Sequence, residues 1–360
     1  MKPYVLRALC VGAALSSAAA SGHHAAAAAF TTNIIEVEGT VTEFNFTNPH
    51  VNIYFDVTNA SGETTQWIAT GSAANLLRRQ GWTRETIQPG QYLRVTGRET
   101  RDGSPMILWS GIIELDPTNR SLVRNVQGES DYQDPAGLAS APRTLDDGRP
   151  NLSGAWTMGP ARRGGRGRGG AGGGGGGPPR VGDPPPFNDI GAAMQAQYDP
   201  ISDPAVNCEA PGLVRQAGFT PHPIRITQNA DHVILEYEEY GGRRVVYLDG
   251  RGPESEAHTN LGHSVARYDG DALVIETTQL LGNYTSPMGN PLSDQTTTVE
   301  TYRRMDEPNG GAVLAMEMVI TDPGYLSVPW TLNWRKFYSP GYEFIEVDCR
   351  VPLTYREAAE

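Results

Sequence analysis

Short segments in which apolar and polar residues alternate fill the N-terminal third of the chain, and each predicts a β-strand. The five segments are Val37–Phe46, Val51–Val57, Thr64–Ala69, Gln91–Thr100 and Met106–Leu115. A helical pattern between Ser72 and Gly81 separates the third segment from the fourth. Three strands, a helix and two strands are the order of an OB-fold, a partly open five-stranded barrel. We therefore expect an OB-fold-like domain over residues 30–115.

Two hairpins are predicted in the C-terminal part, each from two alternating segments joined by a glycine-containing turn. The first turns at Gly241-Gly242, and its register places Arg244 at the rim of an otherwise apolar face. The second turns at Asp269-Gly270, and its register places His263 opposite Glu276. The first hairpin has one apolar and one charged face, as a half-buried sheet requires.

About nine strands are predicted for the C-terminal part, mostly as an antiparallel meander. The remaining ones are Asn151–Met158, Thr296–Met305, Val313–Thr321, Trp330–Tyr338 and Tyr342–Arg350. This pattern favours a closed, calycin-like antiparallel barrel over residues 151–353, with a β-sandwich as the alternative. The fold class expected for the whole chain is mostly β.

Glycine is concentrated in one segment of the 42-glycine sequence. Residues 162–177 (RRGGRGRGGAGGGGGG) are almost entirely glycine and arginine. Such a tract buries too little surface to offset its chain entropy, so we expect a disordered insertion at residues 161–186. Residues 116–150 are polar and rich in turn residues, and they predict a linker between the two domains.

The net charge of −12 argues against nucleic acid as a partner, because a nucleic-acid surface needs cations that displace counterions from phosphates. The OB-fold-like segment is nevertheless rich in aromatic residues. They are Phe44, Phe46, Tyr54, Phe55, Trp67, Trp82 and Trp109. Since the arginines of this segment do not alternate with these rings, a core or small-ligand role is favoured for them.

Residues 1–22 have the three parts of a secretory signal peptide. Lys2 and Arg7 form the charged start, an apolar run follows, and small residues permit cleavage after Ala20 or Gly22. The apolar run is too short to span a bilayer, and no later stretch is long enough for a membrane helix. We expect a periplasmic or extracellular protein with no transmembrane segment.

Two cysteines, Cys208 and Cys349, remain once the signal peptide is removed. In an oxidising compartment an isolated pair most simply forms a disulfide, and two buried free thiols are the alternative. The bridge would connect the start of the second domain to its last predicted strand.

Histidines near the new N-terminus form a candidate metal site, and the pattern favours copper over zinc. Cleavage after Ala20 makes His23 the third residue, where the amine, two amides and the imidazole form the square-planar set that Cu(II) and Ni(II) prefer. Cleavage after Gly22 makes His23 the first residue, with His24 or His50 completing the site. The alternative is a polar terminus whose histidines bind no metal.

The predicted register brings together three residues that form a candidate catalytic site. If His263 faces Glu276, the carboxylate can orient the imidazole as a general base, and Arg267 on the same face can bind an anion. A purely structural cross-strand pair is the alternative. The candidate ligand-pocket residues are His222, Arg225, Tyr237 and His263.

Motifs in the N-terminal part carry a resemblance to a known family. They are His23-His24 with Phe30, Gly39–Thr42, Asn48-Pro49-His50, Trp67, Leu76–Trp82, Pro89-Gly90 and Arg101–Ser104. This segment resembles an exported bacterial family of unknown function. The alanine run Ala25–Ala29 departs from the family pattern. The resemblance implies no activity, since the family itself is uncharacterised.

A second set of motifs lies in the C-terminal part. They are Asn151–Trp156, Cys208–Gly212, Tyr247–Arg251, Gly262–Val265, Gly270–Ile275 and Asp322-Pro323. They are similar to a β module found in exported bacterial proteins of unknown function, although Tyr268 stands where that module usually has tryptophan. No catalytic residue follows from this resemblance.

Two small barrels without a catalytic motif favour an exported, non-enzymatic binding protein for a small ligand or a metal ion. The expected partner is an unidentified small molecule or a component of the cell envelope. One alternative is an envelope hydrolase that uses His263 and Glu276. Another is a structural or protein-partner module of the envelope.

Overall fold

The computed structural model describes residues 30–48, 50–126, 141–158, 184–199, 203–205, 208–219, 222–286, 289–307 and 311–348. Strands dominate its regular structure, so the predicted mostly-β fold class is confirmed. The predicted signal peptide and the whole glycine-rich segment 162–177 lie outside the described residues, and both stay predictions.

Five strands of the N-terminal sheet close into a small barrel. They are β1 (Phe30–Asn45), β2 (Asn52–Thr58), β3 (Thr64–Thr70), β4 (Tyr92–Thr100) and β5 (Met106–Leu115). β1 pairs antiparallel with β2 and β4, β2 pairs with β3, and β4 pairs with β5. Parallel pairing of β3 with β5 closes the ring. With the short helix α1 (Ala74–Arg78) between β3 and β4, this is the predicted OB-fold-like arrangement.

The alternation along these strands sets which side chains fill the small barrel. Ile53 and Phe55 of β2, and Leu93 and Val95 of β4, are fully buried, whereas the residues between them are partly exposed. A sixth strand, β6 (Leu122–Asn125), pairs with β5 and extends the sheet into residues that the sequence predicts as linker.

The C-terminal part contains a closed barrel of nine strands in the order β10-β11-β12-β15-β16-β17-β7-β8-β9. The elements are β7 (Gly154–Thr157), α2 (Asp189–Ala196), β8 (Ile224–Gln228), β9 (His232–Tyr237), β10 (Arg243–Tyr247), β11 (His263–Asp269), β12 (Ala272–Thr278), the short pair β13 (Asn283–Tyr284) and β14 (Pro291–Leu292), β15 (Thr297–Asp306), β16 (Ala312–Thr321) and β17 (Trp330–Tyr338). Only the short β10–β11 contact in this barrel is parallel among the described strand pairs. The predicted closed, mainly antiparallel barrel is therefore confirmed.

The predicted strand Tyr342–Arg350 is wrong for the residues that the structure describes. Residues 342–348 contain a single bridge, from Val347 to Asn48 in the N-terminal barrel, and Ile345 is buried in the core of that barrel. The alternating pattern here reflects docking onto the other domain. Strand β8 takes the ninth place in the C-terminal barrel instead.

The first predicted hairpin is also corrected. Strands β9 and β10 are joined by a 3-10 turn at Glu239–Gly241 rather than by a two-residue turn at Gly241-Gly242. Arg244 consequently lies opposite Leu235 and is buried inside the barrel, not at its rim. The side chains predicted to share a face of this hairpin still do so, because the register differs from the predicted one by an even number of residues.

The second predicted hairpin turns one residue later than expected. Asp269 pairs with Ala272, so Gly270 and Asp271 form the turn, and Gly270 has φ +60°. Glycine at the first central position favours a type II′ turn, which the sequence pattern alone did not distinguish. His263 therefore pairs with Thr278 instead of Glu276.

A fully buried ion pair crosses the interior of the C-terminal barrel. Arg244 Nη1 and Nη2 donate to Glu300 Oε1 and Oε2 at 2.6 and 2.9 Å, and Tyr302 donates to Glu300 Oε2 at 2.7 Å. Both charged side chains are almost completely shielded from solvent. Their mutual hydrogen bonds offset the cost of removing two charges from water.

We expect Glu300→Gln to lower the free energy of unfolding by about 3–5 kcal/mol, because it leaves the Arg244 charge buried without its partner. Urea unfolding measures this loss. The matched control is Glu276→Gln, which breaks the exposed Arg267–Glu276 pair of the same barrel, and it costs about 1 kcal/mol or less. Equal losses for the two variants would contradict the assigned role of the buried pair.

Candidate functional site

A cleft of about 800 Å³ opens on the N-terminal barrel. Strands β1, β4, β5 and β6 and the segment after α1 supply its walls. The lining residues are Glu36, Gln80, Trp82, Arg94, Thr96, Trp109–Ile113, Asn125 and Val126. Its volume lies in the range of small-molecule sites, roughly 300–1,000 Å³.

A row of aromatic rings ends in this cleft. Phe44 packs against Trp82 with ring centroids 6.4 Å apart, and Trp82 stacks on Trp109 at 5.5 Å with an interplanar angle of 24°. Trp82 is buried between its two neighbours, so Trp109, which is half-buried, is the last ring of the row. A Cβ atom at Gly71 would overlap the Trp109 indole, so glycine there allows the indole to pack against the backbone.

The β4–β5 pairing shows why Trp109 occupies this position. Thr96 pairs with Gly111 and Gly97 pairs with Trp109, which leaves Ser110 as an extra residue in β5. A bulge of this kind bends its strand and redirects neighbouring side chains. The irregularity therefore lies at the wall of the cleft.

The charges in the cleft are already paired within the protein. Arg94 Nε donates to Glu38 Oε1 at 2.6 Å and lies 3.9 Å from Glu36 Oε2. Arg94 is the one basic residue among the described lining residues, so the wall offers no unpaired cation. Gln80, Ser110 and Asn125 are exposed at the edge of the cleft and provide neutral donors and acceptors.

A second polar group lies buried where the two barrels meet. This junction cluster consists of Asn75 on α1, His222 before β8, Glu238 and Glu239 after β9, and Lys336 on β17. Asn75 Nδ2 donates to His222 Nδ1 at 2.7 Å and to Glu238 Oε2 at 3.1 Å. Lys336 Nζ donates to the His222 carbonyl. The cluster joins the N-terminal domain to the end of the C-terminal barrel.

Burial perturbs the ionisation of three members of the junction cluster. It lowers the pKa of Lys336 to about 7, lowers the pKa of His222 and raises the pKa of Glu238. Glu239 and Glu238 partly counteract the effect on Lys336. Perturbed groups of this kind mark functional sites but also occur in structural networks.

Lys336 is unusual in the sequence as well. Lysine occurs only at positions 2 and 336, and the other 27 basic residues are arginine. An arginine keeps its proton under all ordinary conditions, whereas a buried lysine amine becomes neutral readily. Lysine is therefore the basic side chain that this fully buried position tolerates.

Residues 12–108 match a family of unknown function, DUF6152. The matched segment includes α1, Gln80, Trp82 and Arg94, and it ends just before Trp109. It covers well under half of the chain. No curated protein and no solved structure matches. This match supports the resemblance of the N-terminal part to a family of unknown function. Export of the protein stays a prediction.

The predicted catalytic pair is not formed. His263 Nε2 donates to the Arg251 carbonyl at 2.9 Å, and its ring stacks on Tyr247 at 5.8 Å. Glu276 accepts from Arg267 Nη1 at 2.5 Å. The prediction that His263 faces Glu276 is wrong because the hairpin turn lies one residue further along the chain.

The four predicted pocket residues do not line one cavity. His222 belongs to the junction cluster, and nearby Arg225 lies over the Phe344 ring with its guanidinium carbon 4.2 Å from the centroid. Tyr237 is buried in the core of the C-terminal barrel. His263 is partly exposed beside Tyr247.

The predicted copper site lies mainly outside the residues that the structure describes. His23 and His24 are not among the described residues, and the Nδ1 group of His50 donates to the Gly71 carbonyl at 2.9 Å. No three His, Cys, Asp or Glu side chains in the described ranges are grouped as a metal ion needs. Copper binding stays a prediction.

The predicted disulfide is likewise untested. Cys208 lies in a turn, and Cys349 is outside the described residues. The chain as described also has no helix with the length and apolar character needed to cross a membrane.

Part of the cleft was predictable from the sequence, and the rest was not. Trp82 and Trp109 are among the seven aromatics favoured for a core or ligand role, but Gln80, Arg94 and Asn125 carry no local signal. For Lys336 a signal exists, because it is the single lysine after the predicted signal peptide and stands in an alternating strand pattern.

We expect the free energy of unfolding to rise by about 2 kcal/mol between pH 7 and pH 9 through Lys336 alone. The unfolded chain keeps the amine protonated up to its ordinary pKa of 10.5, whereas the folded protein releases the proton near pH 7. Stability rises with pH wherever the unfolded state holds more protons. Urea unfolding of the native protein and of Lys336→Met at both pH values measures the difference.

In Lys336→Met this contribution is absent, so the variant gains less stability than the native protein over the same interval. Arg335→Met changes the exposed neighbour on β17 and serves as the control, with the native pH dependence retained. An unchanged pH dependence in Lys336→Met would contradict a lysine that loses its proton near pH 7.

Proposed function

We propose that this protein binds a small organic ligand in the cleft of its N-terminal barrel, as an exported binding protein. The observation that carries the proposal is the combination of an open 800 Å³ cleft with a stacked Trp82–Trp109 pair in its wall. Binding sites typically combine an apolar, aromatic surface with a few well-placed polar groups. Ser110 and Asn125 at the edge supply such polar groups.

Other places in the described structure support ligand binding less well. A second cavity, of about 20 Å³, lies against Leu213, Leu280 and Tyr284 and has room for about one water molecule. The interior of the C-terminal barrel is filled by large buried side chains, among them Trp156, Tyr302 and Trp334. The junction cluster is closed off from solvent, since Lys336 is 0% and Glu238 1% exposed.

The alternative of a hydrolase has no geometric support. Its acid–base pair depends on contact between His263 and Glu276, and each of these side chains is engaged elsewhere. The function that the geometry favours is therefore reversible binding.

We expect a thermal-shift screen of neutral and charged metabolites to find compounds that stabilise the native protein, by about 2.7 kcal/mol at a ligand concentration of 100 Kd. Trp109→Ala removes the terminal ring of the cleft, so the same compounds lose roughly tenfold or more in affinity. Titration calorimetry on both proteins measures the loss.

Trp67→Ala is the matched control, because Trp67 is a half-buried tryptophan of the same barrel that does not line the cleft. It retains the native affinity if the cleft is the site. Hits that bind Trp109→Ala as tightly as the native protein would place the ligand elsewhere and reject the proposal.

A further inference from the structure

We infer that the ligand of the cleft is an uncharged sugar, presented as a short neutral glycan. This inference rests on the proposed function, since it names the chemical class that the same site would take. It is carried by the shape of the wall, by the polar groups at its edge and by the pairing of its charges.

The aromatic wall fits one side of a sugar ring. A pyranose has a face of C–H groups and an edge of hydroxyls, and the C–H groups carry a weak positive charge. The face of an indole is the negative part of its quadrupole, so the two surfaces attract each other when they stack. Trp109 ends the row of rings and stacks on Trp82, which in turn packs against Phe44.

The edge of the cleft fits the hydroxyls of a sugar. Gln80 and Asn125 each offer an amide with both donors and an acceptor, and Ser110 offers a hydroxyl. Glu36 adds a carboxylate acceptor whose side chain is 60% exposed. A hydroxyl both donates and accepts, so a mixed set of groups of this kind can satisfy several hydroxyls at once.

The electrostatics of the cleft disfavour anionic ligands. The Arg94 guanidinium is held by Glu38, with Glu36 at 3.9 Å, so it has little positive charge to offer an anion. The net charge of −12 repels anions further. A nucleic acid could also stack its bases on Trp109, but its phosphates need cations that this wall does not supply.

The test is titration calorimetry of the full chain with three neutral tetrasaccharides, cellotetraose, maltotetraose and chitotetraose. Two probes of other classes complete the panel, the anionic tetragalacturonate and a tetrathymidylate. We expect at least one neutral tetrasaccharide to bind and both anionic probes to fail. Trp109→Ala weakens that binding roughly tenfold or more, whereas Trp109→Phe, which keeps an aromatic face, retains most of it.

A second variant keeps the test independent of the packing of Trp109. Gln80→Ala combined with Asn125→Ala changes only exposed side chains at the edge, so the melting temperature stays the same. We expect this double variant to lower the affinity for the tetrasaccharide by roughly fivefold to fiftyfold, because hydrogen bonds to the sugar are lost.

The outcomes separate the inference from the proposed function. If an anionic probe or a screening hit without sugar character binds in a Trp109-dependent way and no neutral tetrasaccharide does, the cleft remains the binding site and the glycan is rejected. If tetrasaccharide binding is indifferent to Trp109 and to the edge variant, both the glycan assignment and the cleft as its site are rejected.

Discussion

The arrangement of the two barrels depends on one buried carboxylate, that of Glu238. It follows β9 of the C-terminal barrel and accepts hydrogen bonds from Asn75 of the N-terminal domain, and from Tyr342 Oη and the Ile345 amide of the terminal segment. A buried carboxylate without partners costs several kcal/mol, so these three parts of the chain stabilise each other around it. Asn75 belongs to α1, and the chain that leaves α1 supplies Gln80 and Trp82 to the cleft. The wall of the cleft is therefore anchored to the second domain.

Buried charged groups also have hydrogen-bond partners inside the C-terminal barrel and at its end. Arg244 and Glu300 satisfy each other in the core with the help of Tyr302, and Lys336 donates to the backbone at the junction, where its amine loses the proton near neutral pH. A fixed guanidinium is compatible with a bidentate carboxylate partner, whereas a lysine amine can become neutral where burial outweighs the attraction of nearby carboxylates. Polar residues thus define how the apolar parts assemble.

Most strand positions were predictable from the sequence because the period-two alternation and the glycine turns are local signals, but the short strands β6 and β8 were not predicted. The registers of the strand pairs were not predictable in the same way. The β11–β12 register depends on whether Gly270 is the first or the second central residue of its turn. Because Gly270 is the first, His263 pairs with Thr278 and not with Glu276. The pattern at residues 342–348 was misassigned because alternation reports burial without saying against which surface. For the cleft, Trp82 and Trp109 were candidates from the sequence. Arg94 and Asn125 could not be predicted, because only the pairing of their strands brings them to the cleft.

The most direct test of the account is to follow the six indole N–H signals in a nitrogen-15 correlation spectrum while a stabilising neutral tetrasaccharide is added. Each signal is assigned from a Trp→Phe variant. If the ligand binds in the cleft, the signals of Trp82 and Trp109 shift together, and those of Trp156, Trp330 and Trp334 in the other barrel stay in place. Shifts confined to the tryptophans of the C-terminal barrel, with Trp82 and Trp109 unmoved, would contradict the account.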